Sequence, residues 1–152
     1  MKKIAVIGAN EPLEPFFKQV KALGYYIVGI AYEEGAVCKK YCDKFYPISF
    51  ADKDTVLEIC KQEKVNGITS FSLESALPTV IYVAQKMGLV SNAEECLHRL
   101  ENKFTMREAL NAAGISNPQY AIISKAEELD SISIPFPCIV KPADSGGSQG
   151  VT

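Results

Sequence analysis

Short apolar runs alternate, through residue 90, with stretches whose apolar residues recur every three or four positions. That rhythm predicts strands separated by amphipathic helices. Residues 3–8, Lys-Ile-Ala-Val-Ile-Gly, form the first run, and Leu13, Phe16, Phe17 and Val20 follow at i, i+3, i+4, i+7 spacing, a strand-helix unit. Pro12 suits a first helical turn and Gly24 the position just past a helix end, after which residues 25–32 read as a second buried strand. Residues 45–49 give a weaker third strand. Asp52 and Asp54 favour the start of a helix carrying Val56, Leu57, Ile59 and Cys60. Residues 67–72 return to strand, and the next helix places Ala76, Val80, Val83, Ala84 and Met87 on one face, with Pro78 confined to its first turn. Strands alternating with helices in this way require right-handed crossovers and a parallel sheet. Residues 1–92 are therefore expected to form a Rossmann-like, doubly wound α/β domain.

The pattern changes after Ser91 and Asn92. Glu94 and Glu95 open one helix, and a second or continued helix from Asn102 carries Met106, Ala109, Leu110 and Ala113 on one stripe up to Gly114. Residues 93–114 thus read as connecting helices. Residues 119–124 and 137–142 are predicted strands, expected to pair in a small sheet of their own, and Ser124-x-x-Glu127 is a capping box for a short helix between them. Two strands and one short helix cannot bury both faces unaided, so residues 115–152 are expected to begin a second, α+β domain whose remainder lies downstream.

Composition narrows the functional classes. Of 152 residues, 47% are hydrophobic and 22% charged, with a net charge of −2. Arg99 and Arg107 are the only arginines and the lysines are scattered among acids, so no basic stripe for nucleic acid appears. No run approaches the roughly 20 apolar residues of a membrane span, and the N-terminal apolar stretch is too short for a signal peptide, so a cytoplasmic protein is expected. Cys38, Cys42, Cys60, Cys96 and Cys138 form no Cys-x-x-Cys pair, which suggests reduced, mostly buried thiols.

The chemistry concentrates at the end of the chain. Residues 137–152, Pro-Cys-Ile-Val-Lys-Pro-Ala-Asp-Ser-Gly-Gly-Ser-Gln-Gly-Val-Thr, combine an apolar run, Lys141 and a Gly-rich turn. Residues without Cβ let backbone N–H groups approach an anion closely, and a lysine beside them adds charge. A Walker loop is excluded, because there the lysine follows the glycines. The same residues also read as a flexible linker. Gly8-Ala9-Asn10-Glu11-Pro12-Leu13 occupies the place of a dinucleotide fingerprint with one glycine where three are needed, so nicotinamide cofactors are not expected. Glu74 lies just past a strand end, where ligands of open α/β sheets gather, and equally suits a helix start. His98, the single histidine, has no nucleophile partner and reads as a solvated helix residue.

Asn102-Lys103-Phe104, Met106-Arg107, Leu110, Ala113-Gly114-Ile115 and Pro118, followed by Cys138-Ile139-Val140-Lys141-Pro142-Ala143 and Ser145 to Val151, resemble the entrance to an ATP-grasp domain over about fifty residues. Residues 1–92 are similar to the preATP-grasp domain of carbamoyl phosphate synthetase large chains, biotin carboxylases and purine-pathway ligases. The resemblance implies an ATP-dependent ligase that activates a small carboxylate as an acyl phosphate for attack by an amine or similar nucleophile. It implies nucleotide contacts from Lys103, Lys141, Ser145, Gly146, Gly147, Ser148 and Gly150, with Glu74 on the substrate side. The cofactors implied are ATP and Mg2+, the metal ligands and adenine hinge lying downstream, so the chain by itself is expected to be inactive. A noncatalytic Rossmann-like binding or regulatory module with a C-terminal linker stays open, as does, more weakly, a nucleotide-sugar or NAD-dependent enzyme. Pairing of unpaired strand edges into a homodimer also stays open.

Overall fold

The structure, a computed structural model, describes residues 1–147 and 149–152. It divides into two compact units, Met1–Glu94 and Glu95–Thr152. The first holds strands β1 (Lys3–Ile7), β2 (Tyr26–Ala31), β3 (Lys44–Pro47) and β4 (Gly67–Ser70) in one parallel sheet of order β3-β2-β1-β4. In register, Ile4 stands opposite Ile27 and Gly67, and Ile7 opposite Ile30 and Ser70. Helices α1 (Glu14–Ala22), α2 (Lys53–Glu63) and α3 (Leu77–Lys86) wrap it.

Alternation along the strands builds two cores. Ala5, Ile7, Val28 and Ile30 face α2 and α3, meeting Val56, Ile59, Cys60, Val83 and Ala84. Val6 and Ile27 point the other way, onto Leu13, Phe17 and Val20 at and beside α1. The predicted helix signals carry physical roles. Asp52 caps α2 by accepting from the Thr55 N–H at 3.2 Å and the Thr55 hydroxyl at 2.7 Å. α1 is entered through a 3₁₀ turn at Glu11–Leu13, and Pro12 and Pro15 occupy the first positions of turn and helix. Pro78 does the same for α3.

β2 also carries a close approach. A Cβ added at Gly29 would stand 2.4 Å from Cys42 Sγ and 3.0 Å from Phe45 Cδ2, so the sulfur occupies the space a side chain would need. At the opposite end of the sheet from the strand C-termini, Glu63 at the close of α2 draws Lys3, Lys44 and Tyr46 together.

The second unit contains α4 (Cys96–Glu101), α5 (Lys103–Ala112) and a 3₁₀ segment, Ala126–Ser131. Gly114 follows α5 with φ 69°, as its sequence position predicts. Here two expectations are corrected. Residues 119–124 and 137–142 form no strand and no shared sheet. Pro118, Pro135, Pro137 and Pro142 deprive these segments and their flanks of N–H donors. Ile122, Ile139 and Val140 stay 49%, 73% and 55% exposed, with no second layer to cover them. The capping box is also displaced by one residue, since the Ser124 N–H donates to the Glu128 carboxylate at 2.8 Å rather than to that of Glu127. Among the described residues no helix is long and apolar enough to cross a membrane.

Candidate functional site

Lys103 is positioned by a helix cap. The Asn102 side-chain oxygen accepts from the Phe104 and Thr105 N–H groups at 3.0 and 3.1 Å, and the Thr105 hydroxyl donates to the carbonyl of His98 at 2.9 Å. Helix α5 therefore starts at a fixed place with Lys103 as its first residue. From there the Lys103 N–H donates to the Ala143 carbonyl at 2.8 Å, and its ammonium donates to the Ser145 carbonyl. The structure thus joins two parts of the sequence motif forty residues apart: the lysine of the α5 start holds the entrance of the Gly-rich loop.

The loop is closed at its base. Val140 and Thr152 exchange N–H to carbonyl hydrogen bonds, both 2.8 Å, an antiparallel clasp around residues 141–151. Within it the Gln149 N–H bonds back to the Gly146 carbonyl at 3.3 Å. Gly147 has φ 63° and nothing within 4 Å of where a Cβ would be, so a ligand can come up to its backbone. Gly150 has φ 66°, and a Cβ there would meet Pro142 Cγ at 2.9 Å, so both backbone and packing require glycine. Lys141 is exposed and Ser145 half-buried; Ser148 lies outside the described residues. The arrangement, Lys141 and the open Gly147 backbone on one loop with the Lys103 ammonium at its entrance, fits a polyphosphate. Magnesium fits less well: among the described residues no three His, Cys, Asp or Glu side chains are grouped to hold a metal ion, and no metal ligand is assigned to them.

Glu74 belongs to the first unit. It opens the 3₁₀ turn Glu74–Ala76 after β4 and is exposed. This is the C-terminal edge of the sheet between β1 and β4, where the chain leaves β1 for α1 on one face and β4 for α3 on the other. Ligands of open α/β sheets bind at such a switch point. The two turns approach closely, since a Cβ on Gly8 would stand 3.2 Å from Leu73 Cδ2. Ser72 takes φ 55°, an uncommon left-handed conformation for a residue with a side chain, and Phe71 stacks on Phe16 with ring centroids 5.2 Å apart and planes 3° from parallel.

Sequence reading passed over Asn102 as a cap, Thr105, and the Phe16–Phe71 pair. The first was legible as an Asn directly before a helical stripe; the last joins residues 55 apart and had no local signal. The cysteines are less buried than expected: Cys38 and Cys60 are buried, Cys42 and Cys96 intermediate, Cys138 exposed. His98 is exposed, as its helix position suggests.

No family model matches the chain. The formate-dependent phosphoribosylglycinamide formyltransferase of a Nitratiruptor species is 24% identical over 152 residues, an alignment that covers 97% of this chain and 39% of that protein. Among solved structures, the ADP complex of an N5-carboxyaminoimidazole ribonucleotide synthetase superposes with a TM-score of 0.82 at 20% identity, over 99% of this chain and 40% of that one. The biotin carboxylase domain dimer of the Hydrogenobacter thermophilus 2-oxoglutarate carboxylase, in complex with MgADP, ADP and bicarbonate, gives a TM-score of 0.77 at 19% identity, over 99% of this chain and 37% of that one. The chain spans about two fifths of the length of each of these proteins. By sequence and fold it is a homologue of the N-terminal, preATP-grasp region of ATP-grasp enzymes.

Proposed function

We propose that the chain is the N-terminal part of an ATP-dependent ligase that joins a small carboxylate to an amine or similar nucleophile through an acyl phosphate, in the manner of carbamoyl phosphate synthetase. The observation that carries this reading is the hold of Lys103 on the Gly-rich loop, with Lys141 exposed on the same loop. Phosphoryl transfer leaves a protein little covalent chemistry to do, so catalysis is mostly positioning and charge stabilisation. Lys141 and the backbone at Gly146, Gly147 and Gly150, open at Gly147, are the direct phosphate contacts, joined by Ser145 and Ser148. Lys103 acts on the nucleotide while fixing the loop entrance. Neither lysine serves as a general base. Mg2+, when bound, would neutralise charge on the transferring group, with ligands from outside residues 1–152. Glu74, at the sheet edge, is on the substrate side.

The test is ADP release by a longer product of this gene against panels of carboxylates and amines. Lys141→Ala is expected to weaken ATP binding or turnover by about tenfold or more, since a charge-assisted phosphate contact contributes roughly 1.5–3 kcal/mol. Lys103→Ala should act in the same direction. Unchanged ATP kinetics in both variants would favour the linker reading of the tail. The 152-residue chain alone is expected to release no ADP above background, because it spans 39% of the formyltransferase it matches; clear Mg-ATP turnover by this chain would contradict that.

A further inference from the structure

We propose that the edge of the sheet at which the strands begin holds a site for a small organic anion, a carboxylate or phosphate carried on a flat apolar group. The inference rests on the first unit alone and does not depend on the ligase reading.

In a parallel sheet with crossover helices, the strands start and the helices end at the same edge. Lysines scattered through the sequence are collected there by the fold: Lys2 and Lys3 at the start of β1, Lys44 at the start of β3, Lys21 in the last turn of α1, Lys61 and Lys64 at the end of α2. Two acids beside them, Asp43 and Glu63, are spent on neighbours. Asp43 accepts from the Lys21 ammonium at 2.8 Å and the Ile27 N–H at 2.7 Å, and Glu63 takes its three donors, Lys3, Lys44 and Tyr46. A lysine at a helix end offsets the carbonyls left open there, which accounts for Lys21, Lys61 and Lys64. Lys2 has no such task and, among the described residues, no ion-pair partner.

Beside Lys2 the surface is hollow. A cavity of about 430 Å³, open to solvent, is lined by Lys2, Lys3, Ile4, Tyr25, Asn66 and Gly67. Asn66 is oriented by β1: its side-chain oxygen accepts from the Lys3 N–H at 2.9 Å, and its own N–H donates to the Lys3 carbonyl at 2.8 Å. The side-chain NH2 is therefore the end left to donate to something else. The backbone of Lys2 is fixed as well, its carbonyl accepting from the Tyr26 N–H at 3.0 Å. Lys2, Lys3 and Asn66 thus line the cavity with donors, and none of its six residues is acidic. The rest of the lining is apolar or flat. Ile4 and the Tyr25 ring supply surface, and nothing stands within 4 Å of where a Cβ on Gly67 would be, so a planar group can lie against the backbone there. Cationic donors beside an apolar floor suit an anion with an apolar body, the charge fixing the head group and the body filling the hollow.

The experiment is an NMR titration of the isotope-labelled chain with benzoate, with phenyl phosphate and, as a neutral match, with benzyl alcohol. The expected result is saturable amide shifts at residues 2–4, 25–26 and 66–67 for at least one anion and none there for the alcohol; the tighter anion identifies the head group. Raising NaCl from about 20 mM to about 0.5 M should weaken that binding by at least about fivefold. Asn66→Asp retains an acceptor for the Lys3 N–H but puts negative charge where the NH2 donor stood, and should weaken binding by about tenfold or more with the spectrum elsewhere unchanged. Lys2→Gln, at an exposed position, should weaken it by at least about threefold. Shifts that are absent for both anions, that appear equally with benzyl alcohol, or that persist unchanged in both variants would overturn the proposal. So would inorganic phosphate binding as tightly as phenyl phosphate, which would leave the apolar floor idle, or anion shifts confined to residues 141–151 of the Gly-rich loop.

Discussion

Glu63 is 7% exposed, yet it remains ionised because three donors converge on it. Lys44 and Tyr46 donate to one carboxylate oxygen, the tyrosine at 2.6 Å, and Lys3 to the other at 3.3 Å. These partners hold its carboxyl down at about 2, against an ordinary value of 4.5. A depressed carboxylate stabilises the fold above its unfolded value, and that contribution is lost as the pH falls from about 4.5 towards 2. Glu63→Gln should therefore cost about 1–2 kcal/mol at neutral pH, the lysines being partly solvated. It should also flatten the acid limb of a pH series of urea unfolding curves. Parallel acid limbs in wild type and variant would count against this role. None of the network was legible in the sequence: a glutamate closing an amphipathic helix reads as a solvated residue, and its partners lie at positions 3, 44 and 46. Lys141 and the loop glycines were legible because their chemistry sits in one continuous segment.

At the level of elements, helix starts read well from sequence because a cap is a local device. Asp52, Pro12 and Pro78 were recognised for that reason, and Asn102 belongs with them. Its double acceptance at the start of α5 makes a specific prediction. Asn102→Ala should destabilise the second unit by about 1 kcal/mol and loosen the turn that carries Lys103, whereas Asn102→Asp should retain the cap. A thermal melt checks the first effect, and the KM for ATP in the longer product checks the second; a raised KM with alanine but not with aspartate is expected. Strands behaved differently. Residues 137–142 have the composition of a buried strand, but an apolar run states only that the residues are apolar. It cannot state that a neighbouring backbone stands ready to pair, and here proline at both ends and exposed Ile139 and Val140 leave the segment without a strand, Val140 pairing with Thr152 alone.

Across the whole molecule the apolar burial is uneven. Among the described residues every buried side chain lies at or before Ala84, and α4 and α5 contain none. Hydrogen exchange should accordingly show the slowest amides in β1, β2 and α2 and distinctly faster ones throughout residues 95–152, because local opening is easiest where least apolar surface is covered. Equal protection in the two units would contradict this. The parallel sheet itself was legible because β1 and β2 are buried on both faces and each helix shows its stripe, so the pattern repeats often enough to correct a weak element such as β3. The same sheet contains the notch at Gly29 that Cys42 Sγ fills. Burial pushes the Cys42 thiol up to about 11, so at neutral pH it stays protonated and a poor nucleophile. The exposed Cys138 thiol has no such shelter. Followed at these two positions, a thiol reagent applied to the native chain would thus keep two clocks, one running freely at Cys138 on the segment that leads into the Gly-rich loop and the other started only when β2 lets go of the Cys42 sulfur.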